Sequence, residues 1–309
     1  MQVRGVVDSA VKEVGNILLG KEPQIRLALC CLFARGHLLL EDLPGMGKTT
    51  LSHALAAVLG LSWKRVQFTS DLLPADILGV SVFNSNDASF TFHPGPIFTQ
   101  LLLADEINRT TPRTQSALLE AMAEGQVTVE GETRQLPQPF FVIATQNPVH
   151  QSGTYPLPES QLDRFLMRLE LGYPHPQAER QMFERRHSGA LEIRNPQQCI
   201  DMEQLEQIRI AVSKVHASEN LIDYLQRLVA YTRQSPEFEV GLSPRGALAL
   251  LDCAKTWAAM NNRSHVVPED IQAVLPAVAA HRLVPSGDYA GDGDALVDLL
   301  RRDVDVVGR

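Results

Sequence analysis

The stretch Glu41-Asp42-Leu43-Pro44-Gly45-Met46-Gly47-Lys48-Thr49-Thr50 constrains the fold of this chain more than any other part of it. An apolar pattern typical of a strand precedes it at 36–40, and apolar residues at helical spacing follow it at 51–58. A glycine-rich loop between a strand and a helix presents backbone N–H groups and a partly positive helix N-terminus to an anion. Lys48 can then reach the β- and γ-phosphates of a nucleotide, and Thr49 can offer its hydroxyl to Mg²⁺. The sequence therefore predicts a phosphate-binding loop, with an ordinary glycine-rich turn as the alternative.

The loop departs from the strict phosphate-loop pattern at one position. That pattern has a glycine where this chain has Asp42. Aspartate tolerates the left-handed backbone region better than most residues do, and Pro44 with Gly45 can still supply the turn. We expect ATP to contact the loop along its length, at Asp42, Pro44, Gly45, Met46, Gly47, Lys48, Thr49 and Thr50.

A second feature is an apolar strand pattern at 101–104 that ends in two adjacent carboxylates, Asp105 and Glu106. A strand that is apolar throughout is typical of a parallel sheet with both faces buried. Ligands bind such sheets at the carboxyl ends of the strands, where the phosphate loop also lies. We therefore expect Asp105 to hold Mg²⁺, directly or through water, and Glu106 to orient or deprotonate an attacking water. The alternative is an acid pair that merely begins a solvated loop.

A third polar position closes another apolar strand pattern, at 140–145. This strand ends in Gln146-Asn147-Pro148, and an amide at the carboxyl end of a strand can align water beside a γ-phosphate. Asparagine is also a common turn former, so the residue types alone leave the role of Asn147 open.

Charge and composition narrow the classes of function. The 309 residues carry 28 basic and 36 acidic side chains, a formal net charge of −8, which gives no general attraction to nucleic acid or to anionic membranes. The cysteines Cys30, Cys31, Cys199 and Cys253 have no metal-binding spacing and fit a reducing compartment. The longest apolar run, 27–34, is far too short to span a membrane. We expect a soluble, cytoplasmic protein.

A change of pattern near residue 174 predicts the domain organisation. Before it, strand and helix patterns alternate, with an N-terminal helix over 3–19 closed by Gly20 and two hairpin patterns at 80–93 and 126–136. After it, helical patterns follow one another. A chain of this length exceeds the size at which one core usually keeps growing. We expect an α/β nucleotide-binding core at 1–173, an all-helical domain at 174–285 and a partly helical tail at 286–309.

Taken together, these motifs resemble the MoxR family of AAA+ ATPases. The resemblance covers about 20–282 and is carried, in chain order, by Leu40-Glu41-Asp42-Leu43-Pro44-Gly45, Phe68-Thr69-Ser70-Asp71-Leu72-Leu73-Pro74, Phe92-His93-Pro94-Gly95-Pro96-Ile97-Phe98, Asp105-Glu106-Ile107-Asn108-Arg109, Ala144-Thr145-Gln146-Asn147-Pro148 and Leu162-Asp163-Arg164-Phe165. Asp42, which is unusual for phosphate loops in general, is usual in this family.

The resemblance implies a five-stranded parallel sheet, a helical lid and a ring, usually hexameric, with ATP bound between subunits. It also implies roles for individual residues. Asn147 matches the first sensor, and Arg164 matches an arginine finger that reaches the neighbouring subunit, with Arg168 as the weaker candidate. Arg245 matches a second sensor, on the lid, that contacts the nucleotide. Residue type alone would make each arginine a surface or interdomain ion pair. The two hairpins match inserts that face the pore or the bound client in related rings.

The resemblance favours an ATP-hydrolysing chaperone that remodels or matures a partner protein, for example during metal or cofactor insertion. Such proteins often work with partners that carry a von Willebrand A domain. Two other classes stay open: a chelatase-type or nucleic-acid-associated AAA+ motor, and a scaffold that binds ATP but barely hydrolyses it. The acidic balance argues against movement along nucleic acid, and the set of Glu106, Asn147 and Arg164 argues against the scaffold.

Overall fold

The computed structural model describes residues 2–85, 88–147, 154–188 and 196–307. Within these ranges lie twelve α-helices: α1 (Val3–Gly15), α2 (Glu22–Phe33), α3 (Lys48–Val58), α4 (Pro74–Leu78), α5 (Pro112–Glu124), α6 (Glu159–Leu162), α7 (Pro176–His187), α8 (Met202–Ser213), α9 (Glu219–Gln234), α10 (Pro244–Met260), α11 (Pro268–Ala279) and α12 (Gly293–Asp303). The strands in the same ranges are β1 (Leu38–Glu41), β2 (Trp63–Gln67), β3 (Gly79–Asn84), β4 (Ser89–Pro94), β5 (Leu101–Asp105), β6 (Gln126–Val129), β7 (Glu132–Gln135), β8 (Phe141–Gln146), β9 (Met167–Leu169), β10 (Phe238–Val240) and β11 (Val284–Pro285). Asn86, Asp87 and Pro148, which belong to the first predicted hairpin and to the predicted strand end, lie outside the described residues.

Five parallel strands form the central sheet, in the spatial order β2-β5-β8-β1-β9. The five-stranded parallel sheet that the resemblance implies is therefore confirmed, and helices follow it. Gln67 of β2 lies opposite Asp105 of β5, and Leu40 of β1 lies opposite Thr145 of β8. Because these pairs are in register, the carboxyl ends of four strands meet at one edge of the sheet, beside the loop that leaves β1.

The apolar strands are buried because both faces of the sheet are covered. Leu101 and Leu103 belong to the core cluster that contains residues of α1, α2 and α3, whereas Leu102 and Ala104 belong to the cluster that contains residues of α5. This alternation is the two-residue period of a strand. Burying a leucine side chain stabilises the fold by about 1.5–3 kcal/mol. The buried strands thus form a frame that fixes the positions of the polar residues at their ends.

Two antiparallel hairpins, β3–β4 and β6–β7, interrupt the alternation of parallel strands and helices. They touch each other, because the guanidinium carbon of Arg134 in β7 lies 3.9 Å from the ring centroid of Phe92 in β4. The first hairpin exposes Phe83 and Phe90 by 54% and 69%, and their ring centroids lie 5.2 Å apart. An exposed aromatic pair of this kind is typical of a surface that meets another molecule.

The chain beyond β9 is mainly helical, with one short antiparallel pair, β10–β11. Helix α10 packs against α2, α8 and α11, and α11 also packs against β9, so the helical region rests on the sheet. Helix α12 packs against α9 and α11. Among the described residues, no helix combines the length and the apolar character needed to cross a bilayer.

One predicted helix boundary was wrong. Helix α1 ends at Gly15, not near residue 19. The backbone N–H of Leu18 still donates to the carbonyl of Val14, and the Leu18 side chain is buried. The apolar period therefore continues past the helix end, because the following turn buries Leu18 against the core.

Candidate active site

The carboxyl ends of β2, β5 and β8 and the N-terminus of α3 enclose a cavity of about 360 Å³. The lining residues are Pro44, Gly45, Gly47, Lys48, Thr49, Thr50, Arg65, Gln67, Asp105, Glu106 and Asn147. The structure therefore brings the glycine-rich loop, the acidic pair and Asn147 around one space. Parallel strands bring such residues together because their carboxyl ends share one edge of the sheet.

Two glycines give the loop its shape. Gly45 and Gly47 have φ of 85° and 93°, in the left-handed region that side-chain-bearing residues seldom adopt. A Cβ atom on Gly47 would also lie 2.7 Å from Cδ1 of Leu18. Gly47 immediately precedes α3, so the loop ends at a helix N-terminus whose unpaired N–H groups attract an anion.

Lys48 is 7% exposed and is held by oxygen atoms. Its Nζ atom donates to the carbonyl oxygen of Asp42 at 2.6 Å, to Oδ1 of Asn147 at 3.0 Å and to the carbonyl oxygen of Gln146 at 3.4 Å. Burial lowers the pKa of Lys48, and the nearby carboxylate of Asp42 opposes that effect. The ammonium group is therefore fixed at the wall of the cavity, in reach of a ligand that could replace these acceptors.

Asp105, at the end of β5, is buried and accepts hydrogen bonds through both oxygens. Its Oδ1 accepts from the Thr145 hydroxyl at 2.6 Å. Its Oδ2 accepts from Arg65 twice, from Nε at 3.0 Å and from Nη2 at 2.6 Å. Thr145 of β8 thus holds the carboxylate in place, and Arg65 of β2 neutralises its charge.

Glu106 sits in a left-handed backbone conformation with φ of 58°. Its backbone N–H donates to Oγ1 of Thr145 at 2.8 Å. Asn147 donates to Oε1 of Glu106 at 3.0 Å, while Gln67 and Arg109 donate to Oε2 at 2.7 Å and 3.0 Å. A non-glycine residue in this region costs about 1–3 kcal/mol, which the surrounding hydrogen bonds offset. Strained backbone held by its neighbours is common at active sites.

The donor set fits magnesium. The Thr49 hydroxyl and the Asp105 carboxylate line the same cavity, and both are hard oxygen donors. Among the described residues, no cluster of three or more histidine, cysteine, aspartate or glutamate side chains could form a protein cage for a metal. A threonine hydroxyl and one carboxylate suit Mg²⁺, which is usually held by one or two protein oxygens together with waters and the phosphates of the substrate.

Two loop residues of the predicted nucleotide site lie away from the cavity. Oδ2 of Asp42 accepts from the backbone N–H groups of Leu171 and Gly172, at 2.8 Å and 2.7 Å, and Oδ1 accepts from that of Leu43 at 2.8 Å. Asp42 therefore ties the loop to the chain just past β9. Met46 is half-buried and packs against the apolar core.

The three arginines proposed from the resemblance do not line the cavity of their own chain. Nη1 of Arg164 donates to the carbonyl oxygen of Leu119 at 3.0 Å, on α5. Arg168 forms ion pairs with Glu41 at 3.2 Å and with Asp294 at 2.7 Å. Arg245 is exposed on the first turn of α10.

Sequence reasoning missed Arg65 and Gln67. Both lie on β2, two residues apart, so their side chains are on the same face of the sheet. From there Arg65 bonds to Asp105 and Gln67 bonds to Glu106. The sequence shows that Arg65 and Gln67 are polar residues of a predicted strand, but nothing there shows that β2 pairs with β5. Thr145 was missed for the same reason, since its partners Asp105 and Glu106 lie on the neighbouring strand.

Comparison with protein families assigns both parts of the chain. Residues 37–167 match the family model described as ATPase family associated with various cellular activities (AAA). Residues 230–300 match the AAA lid domain.

Similar proteins cover nearly the whole chain. The uncharacterized protein YeaC of Bacillus subtilis is 45% identical over 93% of this chain and 90% of its own length. Chaperone MoxR1 of Mycobacterium tuberculosis is 38% identical over 93% of this chain and 78% of its own length. The crystal structure of a proposed ATPase from Cytophaga hutchinsonii superposes with a TM-score of 0.88 at 35% identity, over 98% of this chain and 95% of that one.

Proposed function

The chain belongs to the MoxR family of AAA+ ATPases, and from that membership we propose that it hydrolyses ATP with Mg²⁺ in order to remodel or mature a partner protein. One observation carries the chemistry. Asn147 bonds to Lys48 through its oxygen and to Glu106 through its nitrogen, both at 3.0 Å. A phosphate-binding cation and a candidate base are therefore held at a fixed separation by one amide.

The roles of the side chains follow from this arrangement. Lys48 leaves its carbonyl partners for the β- and γ-phosphates, which are stronger acceptors because they are charged. Thr49 and Asp105 would hold Mg²⁺, which when bound neutralises charge on the phosphate oxygens. Glu106 accepts the proton of the attacking water, and Asn147 keeps that water and the γ-phosphate aligned.

Hydrogen bonds from its own chain occupy Oε2 of Glu106. Gln67 and Arg109 both donate to this oxygen, so a water that approaches Oε2 has to compete with them. This observation favours one alternative, the scaffold that binds ATP but barely hydrolyses it, for as long as these bonds persist. We propose that ATP binding releases Oε2 from Gln67.

We propose that the site is completed by a second copy of the chain in a ring, which the family predicts to be a hexamer. Arg164 supplies the finger to the neighbour's γ-phosphate, and Arg245 contacts the nucleotide of its own subunit from the lid. The position of Arg164 away from its own phosphate loop supports this assignment. Arg168 is the weaker finger, because Glu41 and Asp294 of the same chain already neutralise it.

The partners are proposed from the family. The exposed Phe83 and Phe90 on the first hairpin would meet a client protein, and a protein with a von Willebrand A domain is a further expected partner. We also propose a cytoplasmic location and the division into a core at 1–173, a lid at 174–285 and a tail at 286–309. Helix α12 of that tail packs against the lid helices α9 and α11.

Glu106→Gln tests the proposal. The amide keeps the shape of the side chain but cannot take a proton from water, so hydrolysis should nearly stop while ATP still binds. The assays are phosphate release, binding of labelled ATP and sizing chromatography with ATP. Glu239→Gln, an exposed carboxylate on β10, is the matched control and should behave like the parent protein.

The three assays separate the candidate functions. A Glu106→Gln protein that binds ATP, does not hydrolyse it and assembles into rings supports the proposal. Normal hydrolysis by this variant would show that Glu106 is not the base. An inert parent protein that binds ATP and remains monomeric would favour the scaffold. A strong, salt-dependent affinity for DNA would favour the nucleic-acid motor instead.

A further inference from the structure

The carboxylate of Asp163 links the helical region to the turn on which Arg164 lies. Asp163 follows α6 directly and precedes Arg164. Its Oδ1 accepts from Nε of Arg282 at 2.7 Å, and its Oδ2 accepts from the Ser243 hydroxyl at 3.2 Å. Arg282 closes the short 3₁₀ helix Ala280–Arg282 that follows α11, and Ser243 precedes α10. The two oxygens therefore face two different elements of the helical region.

Arg282 bonds to backbone carbonyls of this turn as well as to the side chain of Asp163. The Arg282 side chain is 4% exposed. It donates to the carbonyl oxygens of Phe165 at 2.7 Å, Leu166 at 3.1 Å and Asp163 at 3.3 Å. Burial lowers the pKa of Arg282, and Asp163 opposes that effect. A buried guanidinium bonded to three carbonyls of one short segment fixes the direction in which that segment presents Arg164.

The first turn of α10 touches both members of the ion pair. Ser243 caps this helix, since its Oγ accepts from the backbone N–H of Gly246 at 3.0 Å. A Cβ atom on Gly246 would lie 3.0 Å from Cδ of Arg282, so the helix approaches the arginine closely at this glycine. Arg245 lies on the same turn, between these two contacts.

We propose that Asp163 and Arg282 are positioning residues that couple the lid helix α10 to Arg164. The inference rests on the proposed function, in which Arg245 meets the nucleotide of its own subunit and Arg164 meets that of the neighbour. When α10 moves toward a bound nucleotide, Ser243 moves with it, and Asp163 passes the displacement to the backbone of Arg164. The occupancy of a subunit's own site thereby sets the position of the finger that this subunit extends into its neighbour's site.

Two variants break the link at different points. Asp163→Asn keeps the size of the side chain but removes the charge that faces the buried Arg282. Ser243→Ala leaves the Asp163–Arg282 pair intact, so it guards against a folding defect, and it also removes the cap of α10. Ser218→Ala removes the cap of α9, where the Ser218 hydroxyl accepts from the N–H of Leu221, and is the control for lost capping.

We expect Ser243→Ala to lower the turnover of ATP by ~3- to 10-fold, the effect of losing one hydrogen bond from an oriented group. ATP affinity should stay within ~2-fold of the parent value, since no contact to the phosphate loop is lost. Ser243→Thr, which keeps the hydroxyl, should restore turnover. Ser218→Ala should leave turnover unchanged.

Mixed rings separate a positioning role from a merely structural one. Asp163→Asn subunits are diluted into an excess of Glu106→Gln subunits, which are expected to bind ATP without hydrolysing it and whose fingers are intact. They are separately diluted into an excess of Arg164→Ala subunits, whose phosphate loops are intact. If Asp163 acts on its own finger, turnover per subunit that retains Glu106 recovers to the value of the diluted parent protein in the first mixture. In the second mixture it stays below the value that the diluted parent protein gives.

The opposite pattern would overturn the inference. A defect in the subunit's own nucleotide site would persist beside Glu106→Gln subunits, while the Asp163→Asn finger would activate Arg164→Ala subunits as well as a parent finger does. Normal turnover by Ser243→Ala would also overturn it. A reference mixture of Glu106→Gln with Arg164→Ala that forms rings but stays inactive identifies a different failure. In that case the finger in trans, and with it the proposed function, is wrong.

Discussion

The guanidinium of Arg65 lies 2.6 Å from Oδ2 of Asp105, the carboxylate that we expect to hold Mg²⁺. The Arg65 side chain is 45% exposed and that of Asp105 is 10% exposed, so solvent can reach the pair. Arg65 therefore competes with Mg²⁺ for Oδ2 of Asp105. Arg65→Gln should therefore lower the Mg²⁺ concentration needed for half-maximal binding of labelled ADP. The change should be at most ~5-fold, since exposed ion pairs contribute up to about 1 kcal/mol.

Two controls fix the meaning of that result. Arg65→Lys keeps a positive charge and should change the Mg²⁺ requirement less. Arg26→Gln removes one of the two arginine partners of Asp8, in a part-exposed ion pair between α1 and α2, and should change nothing at the site. An Arg65→Gln protein that loses affinity for ATP without Mg²⁺ would show that Arg65 meets the phosphates instead.

Lys48→Ala should abolish tight ATP binding. The ammonium group is the cation fixed at the loop, and charged hydrogen bonds to phosphate are worth about 1.5–3 kcal/mol each, so the affinity should fall by ~10- to 100-fold or more. Equilibrium binding of labelled ATP measures this. Lys12→Ala, an exposed lysine on α1, should bind like the parent protein. Near-normal affinity in Lys48→Ala would place the nucleotide elsewhere.

Arg164→Ala should leave ATP affinity largely intact and reduce turnover by ~10³-fold, the effect of losing a finger supplied in trans. Mixing it with Lys48→Ala protein should restore part of the activity, because each variant contributes the half-site that the other lacks. Arg168→Ala is the matched comparison, and it should lose the ion pairs to Glu41 and Asp294 without losing activity to the same degree. A larger loss of turnover in Arg168→Ala would exchange the two assignments.

The stability of the protein should fall in mild acid because of His37. This residue is half-buried, and its ring bonds to the carbonyl oxygen of Met122 and to the backbone N–H of Val142. Burial lowers the pKa of His37 from 6.5 to about 4. Between those values the unfolded chain binds a proton that the folded chain does not, so the free energy of unfolding decreases as the pH falls. The loss between pH 7 and pH 5 should be about 2 kcal/mol from this group.

Urea unfolding at the two pH values checks the effect. Burial also lowers the pKa of His281, which adds a loss of the same sign. His37→Gln should reduce the pH dependence by about 2 kcal/mol, whatever its stability at pH 7. His93→Gln, at an exposed position, should not alter it. An unchanged pH dependence in His37→Gln would mean that folding leaves the pKa of His37 unchanged.

The sequence was sufficient wherever neighbouring residues decide the structure. The strand, loop and helix around Lys48 are local, and so are the apolar strand and the two carboxylates at Asp105 and Glu106. Each of these was predicted from spacing and residue type, and the structure brings them to one cavity. The five strands of the sheet were implied only by the family resemblance.

Contacts between distant segments could not be read from the chain. Arg65 and Gln67 reach the acidic pair because β2 pairs with β5, and strand order is a property of the whole sheet. Asp163 and Arg282 meet across 119 positions. No local pattern predicts which buried arginine finds which carboxylate, because each partner alone reads as an ordinary surface charge.

Asp42 connects the phosphate loop to the segment that follows β9. Its carboxylate accepts hydrogen bonds from the backbone N–H groups of Leu171 and Gly172. Gly172 has a φ of 63°, so the chain bends at this point. A glycine at residue 42, as in the general pattern, would give the loop more freedom but no hold on that bend. Two hydrogen bonds therefore attach the start of the helical region to the phosphate loop. A displacement of the loop on binding an anion would be transmitted through them to the helices beyond the bend.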